Sequence, residues 1–260
     1  MDHSPLYLAN EEYEACFDVE QGMTLLSFKK NGLEVIDQSP SSKKGPLIGP
    51  HFHTHTKYEP TNGASYHHGI ARYASWRQVS SQTQIKGHLS SKDSLDGYPL
   101  SLLEGQNFEM TFEARLIPSG LRIKLEITSE HPSMVGLHYY FRKGKTAFIH
   151  SEVEETYNDQ GTPHPIPKAW KKGNQLFYPL NQATDFGFIP VDSPHEHKIM
   201  YETEDYKMLI HYQTANPKEV QFQLYSPLNA SFVCIEPMSA KEPREPHLNH
   251  SLLETKFEIL

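Results

Sequence analysis

Between Asn107 and Thr128 the sequence alternates apolar and polar residues with a period of two, and this alternation constrains the fold more than any other feature. In NFEMTFEARL, Phe108, Met110, Phe112, Ala114 and Leu116 fall on one side, and Glu109, Thr111, Glu113 and Arg115 on the other. LRIKLEIT repeats the pattern with Leu121, Ile123, Leu125 and Ile127. Successive side chains of an extended chain point to opposite faces, so each run buries one face and wets the other. Pro118-Ser119-Gly120 supplies a turn between them, and the two runs are predicted to form a hairpin laid on a core.

YEACFDV, MTLLSF, LEVI, WRQVSSQTQI, VGLHYYF, LFYPL, KMLIHY, VQFQLY, SFVCIEP and KFEIL read as further strands, separated by turn residues such as Lys30-Asn31-Gly32 and Asn216-Pro217. No long capped segment repeats apolar residues at helical spacing, so helix is minor. A parallel α/β sheet would need crossover helices; the expected fold class is all-β, a large antiparallel β-sandwich. Such sandwiches reach 260 residues as one domain, and no repeat or linker divides residues 1–260. The stretches from Gln38 to Ser65 and from Asp159 to Asn174 read as long loops, where function concentrates on a rigid scaffold.

Twenty-four Lys and Arg against 32 Asp and Glu give a formal net charge of −8, the wrong sign for a phosphate backbone, so nucleic acid is not an expected partner. No run approaches the roughly 18–20 apolar residues of a spanning helix, and MDHSPLYLANEEYEACFDVE lacks the regions of a secretion signal. A soluble cytoplasmic protein with no membrane partner is expected. Cys16 and Cys234 are too few for a disulfide framework and are expected to be buried thiols.

Among sixteen histidines, His51, His53 and His55 alternate in HFHTHT, so an extended segment would turn all three to one side as a metal constellation; pocket or surface histidines are the other reading. His138 sits in the apolar VGLHYYF, either as a satisfied core residue or as an acid-base group. SFVCIEP runs apolar directly into Glu236 and a proline. A carboxylate at the end of a buried strand is either paired or used, because leaving it alone is costly.

Four segments, HHGIARYASWRQV, VGLHYYF, ATDFGF and SPLNASFVCIEPMSA, follow the order and spacing of the motifs of the aldose 1-epimerase family, the galactose mutarotase-like proteins, which this chain resembles over nearly its whole length. Tyr98-Pro99 and the opening GMTLLSFKKNGLEVI are similar as well. The resemblance implies the galactose mutarotase-like supersandwich and a cofactor-independent mutarotase with no metal, acting on a small-molecule sugar or sugar phosphate. It implies Glu236 as general base at the anomeric hydroxyl and His138 as general acid at the ring oxygen. His68 would bind the sugar on the ring-oxygen side. Asp185 would accept sugar hydroxyls, or else is a turn carboxylate. Arg72 would hold substrate, brace Glu236, or form a surface ion pair. Trp76 would be an aromatic floor or a core residue. Such a site needs Glu236 ionised and His138 able to carry a proton.

The chain departs from the family where an Asn-Arg pair is usual and GPLIGPHFHTH stands instead; His53 or His55 would take over a hydroxyl contact. Lys57, Arg72 and the Lys168 to Lys172 cluster point toward a phosphorylated sugar. Three other functions compete: a non-catalytic carbohydrate-binding protein on the same fold, a metal-dependent enzyme using His51, His53 and His55, and a glycoside hydrolase using Glu236 with Asp185.

Overall fold

The computed structural model describes residues 5–37, 39, 47–53, 66–173, 175–193 and 196–260. Its core lies between a ten-stranded and an eight-stranded sheet, and every strand pairing among the described residues is antiparallel. The ten-stranded sheet is centred on the hairpin anticipated from the alternation, Phe108–Ile117 with Gly120–Ser129. All ten residues pair in register, with Phe112 opposite Leu125 and Glu113 opposite Lys124. The eight-stranded sheet includes Thr184–Pro190, Gln221–Ser226 and Phe232–Met238 as neighbours. Aromatic rings join the layers: Phe257 of the larger sheet meets Phe141 of the smaller at 5.6 Å, and Tyr212 meets Phe222 at 6.3 Å. A four-stranded sheet at the N-terminus adds Phe17, which meets Phe112 edge-on at 5.9 Å.

Among the described residues, helix is confined to Leu100–Glu104 and two 3₁₀ turns, Ile70–Arg72 and Lys168–Trp170. Both cysteines are buried thiols. Among the described residues no helix is long and apolar enough to cross a membrane.

Three expectations need correction. WRQVSSQTQI is not one strand but part of a hairpin, Arg77–Ser80 with Gln84–Ser90, because the Ser81 N–H bonds the Gln84 carbonyl and turns the chain. The stretch from Asp159 to Asn174 is not a plain loop. Gln160 and Gly161 both take positive φ, the conformation of a tight hairpin turn, and fold Thr162–Pro165 back onto Val153–Asp159. VGLHYYF is interrupted: Gly136–Leu137 and Tyr140–Arg142 are strands, and His138 and Tyr139 lie between them.

Candidate functional site

Strand alternation selects the floor of a cleft on the open face of the eight-stranded sheet. Gln221–Ser226 sends Phe222 and Leu224 into the core and turns Gln223 and Tyr225 the other way. On the next strand, Ile235 is core and Glu236 faces the cleft. Gln223 is registered opposite Glu236, and Asp185 opposite Tyr225, so side chains from three strands converge. The cleft has a volume of about 260 Å³, room for a small ligand.

Register also brings the histidine to the carboxyl. Gly136 pairs with Met238 and Tyr140 with Cys234, which sets His138 across from Glu236 on the adjacent chain segment. His138 Nε2 lies 3.2 Å from Glu236 Oε1, with the two side chains only 7% and 2% exposed. Burial governs their protonation. It holds the Glu236 carboxyl well above the ordinary carboxylate range, reinforced by Asp185 and opposed by Arg72. It pushes the His138 imidazole down to about 3, with Arg72 adding to the effect. Burial therefore favours the uncharged form of both groups, against the expectation of an ionised Glu236 beside a protonated His138, because low dielectric penalises each charge.

One wall is built by residues 66–72. His68 has φ 66° and Gly69 φ 84°. A Cβ on Gly69 would lie 2.1 Å from the Gly49 carbonyl oxygen, so only glycine lets the two backbones meet there. The His53 N–H donates to His68 Nδ1 at 3.2 Å, so the neutral His68 ring carries its hydrogen on Nε2 as a donor. Burial and the neighbouring His138, Arg72, His67 and His53 push the His68 pKa far down. Arg72, in the 3₁₀ turn and 8% exposed, donates to the His67 carbonyl at 3.4 Å and bonds the Tyr140 hydroxyl.

Glu104, absent from the sequence-derived site, holds this wall in place. It is fully buried at the end of the short helix and accepts the Ile70 N–H at 2.6 Å, while its second oxygen meets His51 Nδ1 at 3.0 Å. Its signal in the sequence is a carboxylate closing the apolar run LSLLE. His51 Nε2 faces the Tyr66 carbonyl at 3.2 Å, so both of its ring nitrogens serve the scaffold.

His51 and His53 accordingly do not point to one centre as the metal reading of HFHTHT requires: His53 has φ 62°, which breaks the extended geometry, and its Nε2 meets Arg244 at 3.0 Å. His55 lies outside the described residues, as do Lys57 and Glu59. Among the described residues, the ligand-type side chains that do cluster are His138, Cys234 and Glu236, with donor atoms within 4.8 Å of one another. Burial and the nearby Glu236 carboxyl raise the Cys234 thiol far above its usual range. A cation there would have to strip that thiol of its proton beside the positive charge of Arg72, so the donor set fits a metal poorly.

His53, His68, Arg72, His138, Asp185 and Glu236 thus border one cleft. Asp185 stands on a strand rather than a turn, and its two oxygens accept from the side-chain amides of Gln223 at 2.7 Å and Gln160 at 2.9 Å. Tyr140, Gln223 and Tyr225 also line the cleft and were missed, although each sits two residues from a recognised or fellow lining residue. Trp76 is core: 2% exposed, packed edge-on against Phe112, with its indole N–H on the Ala71 carbonyl. The Lys168 to Lys172 cluster does not border the cleft; Lys171 pairs with Glu155, and Lys172 lies over the Phe177 ring. A larger depression, about 540 Å³, lies beside His150 and His197 on the ten-stranded sheet, but the histidine His150 there is directed to Glu202 at 3.4 Å and Lys198 to Glu196 at 3.5 Å on the open surface. Size alone does not make it the site.

No family model matches the chain, and no curated protein matches it by sequence. Solved structures do match over nearly its full length. A galactose mutarotase-like protein from Lactobacillus casei has a TM-score of 0.75 at 15% identity, covering 99% of this chain and 100% of its own. A galactose mutarotase-like protein from Clostridium acetobutylicum has a TM-score of 0.69 at 12% identity, covering 98% and 95%. The GalM/aldose epimerase homologue from C. elegans has a TM-score of 0.66 at 15% identity, covering 99% and 98%. The fold is therefore the galactose mutarotase-like supersandwich expected from the sequence.

Proposed function

We propose that this chain is an aldose 1-epimerase, opening and reclosing the ring of an aldose by acid-base catalysis with Glu236 and His138 as the catalytic residues. The observation that carries the reading is the buried contact of 3.2 Å between His138 Nε2 and Glu236 Oε1 at the floor of an open cleft. Anomerisation moves protons at two oxygens, the anomeric hydroxyl and the ring oxygen, both bonded to C1. Two groups in direct contact can address both at once.

The steps balance with one resident proton. Glu236 as carboxylate takes the anomeric hydroxyl proton while His138 as imidazolium gives one to the ring oxygen; the bond from C1 to the ring oxygen breaks and the aldehyde forms. Rotation about C1–C2 presents the other carbonyl face, and the same transfers in reverse close the ring. The ring-open state leaves Glu236 protonated and His138 neutral, the uncharged forms that burial favours. The closed-ring form differs by one transfer across the contact, which Arg72 and the sugar hydroxyls assist by stabilising the carboxylate. The donor Nε2–H of His68 polarises the ring-oxygen side, and Asp185 accepts hydroxyls. Each positioned proton transfer contributes about 10²–10⁴ in rate.

NMR exchange between the anomers of glucose, galactose and their 6-phosphates tests this. Glu236→Gln is expected to slow exchange by about 10²–10⁴ while leaving sugar binding nearly intact. Binding without exchange in the unmodified protein would instead make the chain a carbohydrate-binding module.

A further inference from the structure

The cleft continues past His53 into a narrow extension of about 30 Å³ that Arg244 closes. Phe52, His53 and Gln223 border both parts. Arg244 follows the Glu236 strand on an exposed turn, and its Nη2 donates to two neutral acceptors, Gln160 Oε1 at 2.9 Å and His53 Nε2 at 3.0 Å. Among the described residues no carboxylate lies within ion-pairing distance of it. Among the described residues its hydrogen bonds both come from Nη2, and Nη1 lies beside the glycine of the Gln160-Gly161 turn.

The charge of the cleft is unusual for this molecule. The whole chain carries −8, yet two guanidinium groups, Arg72 and Arg244, border the cleft and its extension with the carboxylates of Asp185 and Glu242, neither of which is ion-paired to Arg244, while burial raises the Glu236 carboxyl toward its uncharged form. Asp185 is already spent on the Gln160 and Gln223 amides. A guanidinium braced by neutral partners keeps its full charge and a fixed fork, which suits an anionic oxygen pair. The rings step away from the reacting pair, His138 to His68 at 5.4 Å and His68 to His53 at 5.7 Å, before Arg244 is reached. A sugar with C1 at the His138–Glu236 pair would turn its opposite end toward Arg244.

Deepening the mutarotase reading on which it rests, we propose that Arg244 is a specificity-determining residue that recognises an anionic group, phosphate ester or carboxylate, at the end of the aldose remote from its anomeric carbon. It does not touch the reacting atoms, so its loss weakens binding of charged sugars and spares neutral ones.

Calorimetric titration of the full chain with glucose, glucose 6-phosphate and glucuronate tests the proposal, since it reads binding independently of turnover. At least one charged sugar is expected to bind about 10- to 100-fold more tightly than glucose, as a charge-assisted fork should provide. Arg244→Gln should erase that advantage with glucose affinity unchanged, and Arg244→Lys should restore part of it. The arm that responds separates phosphate from carboxylate. Equal affinity for charged and neutral sugars, no binding of any of the three, an advantage that survives Arg244→Gln, or an equal loss for glucose would each overturn it. Anomer exchange of the same sugars is measured separately. A charged-sugar advantage without exchange would sink the mutarotase reading and leave Arg244 in its role; exchange without the advantage would do the reverse.

Discussion

Two antiparallel pairings in this protein use the same backbone pattern to opposite ends. The hairpin of Phe108–Ile117 with Gly120–Ser129 runs ten residues without a gap, its apolar face fully buried and its charges left to water. There Arg122 meets Glu254 at 2.6 Å in the open, a contact worth roughly 0–1 kcal/mol. Opposite Phe232–Met238, the facing segment pairs at Gly136, breaks at His138 and Tyr139, and resumes at Tyr140. On that face the polar groups are nearly sealed: His138 and Glu236 are buried, and His138 Nδ1 has no hydrogen-bond partner. Unbroken pairing spends its polar residues on solubility. Interrupted pairing retains them where burial shifts their protonation, at a cost to stability, and the proposed function rests on that arrangement.

Substitutions on the two pairings should separate stability from activity. Phe112→Ala, in the hairpin core, is expected to lower unfolding free energy by about 3–5 kcal/mol in urea titration while activity per folded molecule stays unchanged. A fall in activity at full folding would show that the hairpin shapes the cleft after all. Glu104→Gln keeps the shape of the wall but weakens its charge-assisted bonds to Ile70 and His51, at a cost of about 1–3 kcal/mol. It should also raise KM more than it lowers kcat, because His68 and Arg72 lose their support; an unchanged KM would reduce Glu104 to a core contact.

The smallest expected effect is that of pH. The proposed acid-base pair would share one proton. A second arrives only as pH falls toward the His138 value of about 3, and burial holds the Glu236 carboxyl well above the ordinary carboxylate range. Activity should therefore show no acid limb at the pH where an ordinary histidine changes charge. An acid limb near the 6.5 of an unperturbed imidazole would place His138 in a wetter site than the structure gives it. Stability behaves differently. His53, His67, His68 and His138 all have lowered pKa values in the fold, so between their folded values and 6.5 the unfolded chain binds more protons. Stability is thus expected to fall as pH drops through that window, partly offset by Glu236, which keeps its proton in the fold.

Much of the cleft was visible before folding because its residues violate their surroundings: Glu236 ends an apolar strand, and His138 interrupts another. Gln160 and Arg244 carry no such mark. A glutamine in a turn and an arginine in KEPREP resemble ordinary surface residues until distant segments meet them. The HFHTHT histidines erred in the opposite direction: equal spacing suggested a shared target, but the positive φ of His53 sends neighbouring rings to different ones.

The alternation of side chains is a local property of an extended backbone, so the sequence by itself determined the β class, the central hairpin and which residues had to be buried. Which polar groups touch is a matter of how segments far apart in the chain come together, and only the tertiary structure decided that His138 faces Glu236 and that Arg244 reaches His53. Protonation follows from that packing. The dielectric around a carboxyl is set by everything folded against it, and no stretch of sequence carries that information alone.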